Sequence, residues 1–264
     1  MRILFIGDVF GRPGRHALAA HLKSFKSEKE IDFCIANGEN AAGGKGLNPK
    51  VAEELFSYGV DCITLGNHTW DNKAILTIID IDSRLVRAYN YPPNVPGFGY
   101  SVFTLSSGEE IVVTQLLCRV FMATVDCPFR GADAFFEEIG QDRIVLCDLH
   151  GEASSEKVAL GWYLDGRMTA VIGTHTHIPT ADERILPGGT AYITDVGMTG
   201  AYDSIIGMDI ESVTNQFKTT MKSPFKIAKK NVKIAGTIVS IDETTKKATS
   251  IERFLLSAEN ESHD

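Results

Sequence analysis

Asn67, His68, Trp70 and Asp71 fall within five positions, directly after the apolar run Ile63-Thr64-Leu65 stops at Gly66. An amide oxygen can ligate a cation, an imidazole can move protons near neutral pH, and a carboxylate three residues on can orient and charge that imidazole. The plainer alternative is a capped turn, and aspartate also suits a helix N-terminus. The same pattern recurs along the chain. Asp8, the pair Glu39-Asn40, His150 and the triplet His175-Thr176-His177 each follow an apolar run within a few residues. Singly, these are a loop cap, turn residues and a core histidine. Together they place four of the seven histidines at the ends of strand-like segments, which chance explains poorly. Carboxylate, amide and imidazole are oxygen and nitrogen donors suited to Mn, Fe or Zn, and no cysteine joins them to suggest a structural zinc–thiolate site. In extended backbone His175 and His177 point the same way, so one could serve each of two neighbouring metals, with a carboxylate bridging them. Metals ~3.5–4 Å apart suit in-line phosphoryl chemistry. Arg12 and Arg15, either side of Gly14, could reach a phosphate. The glycine-rich stretch 41–46 lacks the order of a P-loop.

These residues need a scaffold that gathers strand ends. Residues 2–7 and 31–37 read as buried strands, and a helix is expected from about His16 to Phe25. Asn48-Pro49 reads as an N-cap with proline at the first helical position, and Gly59 ends that helix. Residues 60–66 give a third strand. Three strand–loop–helix units imply a mostly parallel or mixed sheet, whose ligand sites lie outside the strands' carboxyl ends. Residues 100–105 and 111–118 read as a hairpin, and 143–151, 169–180 and 189–200 as further polar-ended strands. Alternation at about 232–256, with a turn near 242–245, predicts a terminal hairpin at the edge of a second sheet. No repeat or long linker interrupts the chain, so a single domain over 1–264 is expected.

Composition narrows the function classes. The chain has 264 residues, 44% of them hydrophobic, and a formal net charge of -8. That charge argues weakly against a broad nucleic-acid footprint. No run approaches the ~20 apolar residues of a membrane span, and the first residues do not read as a signal peptide. The five cysteines lack zinc-finger spacing. Cys34, Cys62, Cys118 and Cys147 sit in apolar runs and read as reduced core residues of a cytoplasmic protein.

The order Gly7-Asp8, Gly38-Glu39-Asn40, Gly66-Asn67-His68, His150 and Gly173-Thr174-His175-Thr176-His177 resembles the calcineurin-like metallophosphoesterases. The stretches GDVFGRPGR, NGENAAGG, GNHTWD and GTHTHIPT resemble more closely their bacterial YmdB-type branch, over Met1 to roughly Leu255. The resemblance implies an α/β sandwich of two mixed β-sheets flanked by helices, carrying two metals. Where the superfamily has Asp-x-His, this chain has Asp8-Val9-Phe10; where it has a bridging aspartate, Glu39 stands, followed by Asn40. Asp8, Glu39, Asn40 and His177 are expected to hold one metal, and Glu39, Asn67, His150 and His175 the other. Loss of one imidazole hardens the first site, which favours Fe or Mn over Zn. His68 is the expected general acid, with Asp71 behind it. The resemblance further implies phosphodiester hydrolysis of 2',3'-cyclic nucleotides, a homo-oligomer, and a connection to RNA or a regulatory partner. The alternatives are a phosphomonoesterase, a linear phosphodiesterase or RNase, and a non-catalytic metal-binding regulatory protein.

Overall fold

The computed structural model describes residues 1–258. In chain order the elements are β1 (Arg2–Ile6), β2 (Asp8–Val9), α1 (Gly11–Glu28), β3 (Phe33–Asn37), α2 (Pro49–Tyr58), β4 (Cys62–Thr64), β5 (Leu85–Val86), β6 (Tyr100–Thr104), β7 (Glu110–Leu117), α3 (Pro128–Ile139), β8 (Ile144–His150), α4 (Ser154–Leu164), β9 (Ala170–Thr174), β10 (Arg184–Ile185), β11 (Ala191–Ile193), β12 (Met198–Ala201), α5 (Ile210–Thr219), β13 (Val232–Asp242) and β14 (Lys247–Ser257). They form two mixed sheets. One runs β2-β12-β13-β1-β3-β4-β5, with β14 also paired to β13; the other runs β10-β11-β9-β8-β7-β6. The α/β sandwich expected from the resemblance is the one observed.

Period-two alternation builds the layers. Ile3 and Phe5 face inward and meet Ile111, Val113, Ile144, Leu146 and Ile172 of the second sheet. Leu4 and Ile6, alternating with them in sequence, face outward onto Leu18 and Leu22 of α1 and Leu55 of α2. On the far side, Val145, Cys147 and Leu149 of β8 pack under Phe135 of α3 and Leu160 and Leu164 of α4. Each large apolar side chain of this kind contributes about 1.5–3 kcal/mol on burial. The four cysteines expected in the core are buried and free, and Cys127 is free and half-buried. Among the described residues no helix is long and apolar enough to cross a membrane.

Local signals set several boundaries. The Asn48 side chain accepts from Val51 N at 3.0 Å, Pro49 opens α2, and Gly59 closes it with φ 110°. Helix α1 begins at Gly11, ahead of the expected start at about His16. Its Pro13 sits in the first turn, where no intrahelical bond needs its missing N–H.

Two expectations are corrected. The hairpin over 232–257 belongs to the first sheet and is not a second-sheet edge. Strand β13 pairs with β1 and β12 at successive positions and with β14 along nearly its whole length, so it is interior. Its inner-facing Val239 and Ile241 join the inter-sheet core, which alternation alone could not assign to a sheet. The segment 189–200 is two strands: β11 pairs with β9, while β12 pairs with β13 and β2. The chain crosses between sheets over residues 194–197, turning at Gly197 with φ 85°.

Candidate metal centre

Both sheets deliver strand ends to one place. Parallel β1, β3 and β4 end shortly before Asp8, Glu39 and Asn67. Parallel β8 and β9 end at His150 and just before His175. Asp8, Glu39, Asn40, His150 and His177 are all buried.

The donors fall into two adjoining groups. In the first, His150 Nε2 lies 2.9 Å from Asn67 Oδ1, 3.0 Å from His175 Nδ1 and 3.1 Å from Glu39 Oε1. Ligand atoms of Glu39, His150 and His175 all lie within 4.8 Å of one another. In the second, His177 Nε2 lies 3.2 Å from Asn40 Oδ1 and 3.8 Å from Asp8 Oδ1. Gly66 makes the close approach possible, because a Cβ there would sit 2.1 Å from Glu39 Oε2 and 2.8 Å from His150 Cε1.

The donor set fits a cation. Buried Asp8 Oδ1 has no hydrogen-bond partner. Such an orphan costs about 1–3 kcal/mol or more unless something else satisfies it. The Thr174 hydroxyl gives its single proton to Asp148 Oδ1 at 2.5 Å, so it accepts from His150 Nδ1 at 2.8 Å. That leaves His150 Nε2 facing two oxygens and another ring nitrogen, an arrangement that calls for positive charge between them. Charges follow suit. Burial works against charging His150, but Glu39 beside it wins and lifts the imidazole to about 9. Burial raises the Glu39 carboxyl, and the charge and hydrogen bond of His150 outweigh this to bring it down to about 2. Burial pushes Asp8 up to about 7. Burial and then the charge of His150 hold His175 down at about 3, so its ring keeps the free lone pair a ligand needs.

The expected extended run through His175 and His177 is not what places them. Strand β9 stops at Thr174, and both histidines adopt left-handed backbone, φ 98° and 66°. Neighbours hold this unfavourable geometry. His175 N donates to Asp8 Oδ2 at 3.2 Å, and Thr176 N to Asp195 Oδ2 at 3.0 Å. Fully buried Lys157, on α4, donates to Asp195 Oδ2 at 2.8 Å and to Thr174 O at 2.9 Å. The turn thus sends His175 to one donor group and His177 to the other.

His68 stands beside Glu39 of the first group and lines the same cavity as Asn40 and His177 of the second. Its N–H donates to Glu39 Oε2 at 2.9 Å, and its Nδ1 lies 2.8 Å from Asp71 Oδ2. Trp70 packs on Tyr91, ring centroids 5.6 Å apart, and Tyr91 donates to Gly66 O at 3.1 Å. Arg12 and Arg15 are not gathered here. Arg12 Nε donates to His16 at 3.1 Å, and Arg15 pairs with Glu54 at 3.6 Å and donates to Ala41 O. Neither lines the cavity that holds Glu39, Asn40, His68, His175 and His177. Both follow from the early start of α1, which turns them along its surface. Phe10, at the position of the absent histidine, stands edge-on to His177 with centroids 5.4 Å apart.

Three supporting residues were not anticipated. Asp148, fully buried, accepts from Asn37 Nδ2 at 2.9 Å, Thr64 Oγ1 at 2.5 Å and Gln115 Nε2 at 2.8 Å, besides Thr174. Its signal was its place two before His150 on one strand, hence the same face. Asp195 ends a polar-ended strand segment and could have been found the same way. Lys157 lies in a helix with no sequence mark.

The chain is similar to known proteins over nearly its whole length. A model of the YmdB-like protein family matches residues 4–254. A 2',3'-cyclic-nucleotide 2'-phosphodiesterase of Bacillus subtilis is 49% identical over 257 residues, covering 97% of each chain. A crystal structure of a hypothetical protein from Thermus thermophilus superposes with TM-score 0.92 at 43% identity, covering 97% of this chain and 99% of that one. A phosphatase structure from Mycoplasma pneumoniae gives TM-score 0.92 at 35% identity, covering 97% and 93%. With the family model and the relatives both spanning nearly all of it, the chain belongs to the YmdB-like protein family.

Proposed function

We propose that the chain is a metal-dependent phosphodiesterase that hydrolyses 2',3'-cyclic nucleotides. The observation that carries this is the pair of adjoining donor groups, Glu39 with Asn67, His150 and His175, and Asp8 with Asn40 and His177, along one cavity with His68 beside Glu39. The activity of the Bacillus subtilis relative supports the substrate class. Asp8, Glu39, Asn40 and His177 would hold one divalent metal; Glu39, Asn67, His150 and His175 would hold a second. Oxygen donors outnumber imidazoles around the first, which favours Fe or Mn over Zn. When bound, such ions would supply positive charge near the phosphoryl oxygens and lower the pKa of water.

The remaining chemistry belongs to the chain. Asp71, as a carboxylate, can only accept from His68 Nδ1, so Nδ1 carries a proton and Nε2 is the exchanging nitrogen. Nε2 donates to the leaving ribose oxygen as its bond to phosphorus breaks, and Asp71 stabilises the charged ring. Asn67 and the turn at His175–His177 fix the donors before substrate arrives, so little reorganisation accompanies the reaction. Glu39 is tied to the acid through the His68 N–H, coupling the position of His68 to the metal donors.

The test is turnover of 2',3'-cAMP against p-nitrophenyl phosphate and bis(p-nitrophenyl) phosphate by the metal-loaded chain. The expected order places the cyclic nucleotide first and the monoester last. Preference for the monoester would overturn the diesterase reading.

A further inference from the structure

The cavity at the metal donors has a second wall without polar chemistry. Its volume is about 470 Å³, and Phe10, Ile178, Ile206, Met208 and Phe225 line it together with Glu39, His68, His175 and His177. That volume lies within the ~300–1,000 Å³ of small-ligand pockets. Phe225 is 51% exposed, Ile178 58% and Ile206 48%. Large apolar groups left open inside a polar site bear on what the site binds.

The chain just after Phe225 is tied to the cavity rim. The pairing crosses that rim: Asp209 N donates to Lys226 O at 2.9 Å, Ile227 bridges to Met208, and Ala228 N donates to Gly207 O at 3.0 Å. The Phe225 ring rests on Gly44, whose φ is 91° and where a Cβ would lie 2.7 Å from Phe225 and 3.3 Å from Phe10. The Lys45 ammonium lies 5.8 Å from the ring centroid. Ile206 belongs to the same rim as the metal donors, since its carbonyl lies 2.9 Å from His177 Nδ1. An aromatic surface and the metal donors thus open into one space.

We propose that Phe225, with Ile178 and Ile206 around it, is the platform on which the substrate's nucleobase stacks while its cyclic phosphate meets the metal donors. The proposal rests on the phosphodiesterase reading and adds to it: the base is held by its π-face and apolar contact, so purines bind better than pyrimidines. The aromatic cleft around Tyr89 and Tyr100 is a separate cavity, and both hydroxyls there are spent on Glu138, at 2.7 and 2.9 Å.

The experiment compares kcat/KM for 2',3'-cAMP with kcat/KM for glycerol 1,2-cyclic phosphate, which has no base. Phe225→Ala should lower the ratio roughly 10-fold, the scale of one base–aromatic stack. Phe225→Trp should restore it, with the change residing in KM. An unaltered ratio in Phe225→Ala overturns the platform, as does an equal fall on both substrates. Wild type that opens neither cyclic ester overturns the phosphodiesterase reading itself, and the platform with it.

Discussion

In the proposed mechanism, His68 is the single side chain that carries most of the chemistry. Its imidazole is backed by Asp71 and lies outside both donor groups, so its removal should spare the metals. His68→Ala is expected to lower kcat on 2',3'-cAMP by about 10²–10⁴-fold, the usual weight of a general acid. Metal content by mass spectrometry should match wild type; parallel loss of metal would instead make His68 a ligand. Asp148 makes a different residue-scale claim. It gathers four buried donors beneath His150 without facing the cavity. Asp148→Ala strands those donors, each costing about 1–3 kcal/mol. A lowered urea midpoint with an unchanged slope is expected; unaltered stability would show the hub to be dispensable. Most ligand candidates were legible as residue types at strand ends, because ligation demands those types. The hub was less so, since a buried Asp among Thr, Asn and Gln looks like any polar strand position until the strands are placed side by side.

At the scale of elements, the turn after β9 decides the site. Sequence alternation puts His175 and His177 on one face of a strand, yet the strand has ended and the backbone is left-handed at both. What holds it is contact from elsewhere, the buried Lys157–Asp195 pair, and no local pattern announces such a contact. Lys157→Met leaves Asp195 buried and uncompensated, so a loss of about 3–5 kcal/mol is expected in chemical unfolding. Lys157→Met with Asp195→Asn should recover part of that loss, because the lone charge is gone. If the double variant also fails to bind metal while regaining stability, the pair positions the histidines as well as holding the fold. Equal instability of single and double variants would contradict the charge-pair account. The same limit explains β13: its alternation was plain, its sheet was not, because its partner β1 lies at the opposite end of the chain.

Across the whole molecule, the first sheet brings Asp8, Glu39, Asn40 and Asn67 and the second brings His150, His175 and His177, so the centre exists only when both are packed together. Metal binding to the folded chain alone must then raise stability by mass action. Removing metal with a chelator should lower the melting temperature, and Mn(II) should restore it; identical melting with and without metal would mean the centre does not ligate. The sandwich itself was implied by the family motifs; the strand–loop–helix units pointed only to a mostly parallel or mixed sheet, and the third of them carries a short 3-10 turn, Lys73–Thr77, in place of an α-helix. Which strand ends meet was a matter of inter-sheet packing. That packing is written in residues such as Phe5 of the first sheet and Val113 of the second, which share the core between the sheets, and not in the motifs. The most direct test is a titration of metal-depleted protein with Mn(II) while 2',3'-cAMP hydrolysis is followed. The account predicts no turnover without metal and a plateau near about two equivalents per chain, as two adjoining donor groups require. Full turnover by the metal-free chain, or none at saturating metal, would contradict it.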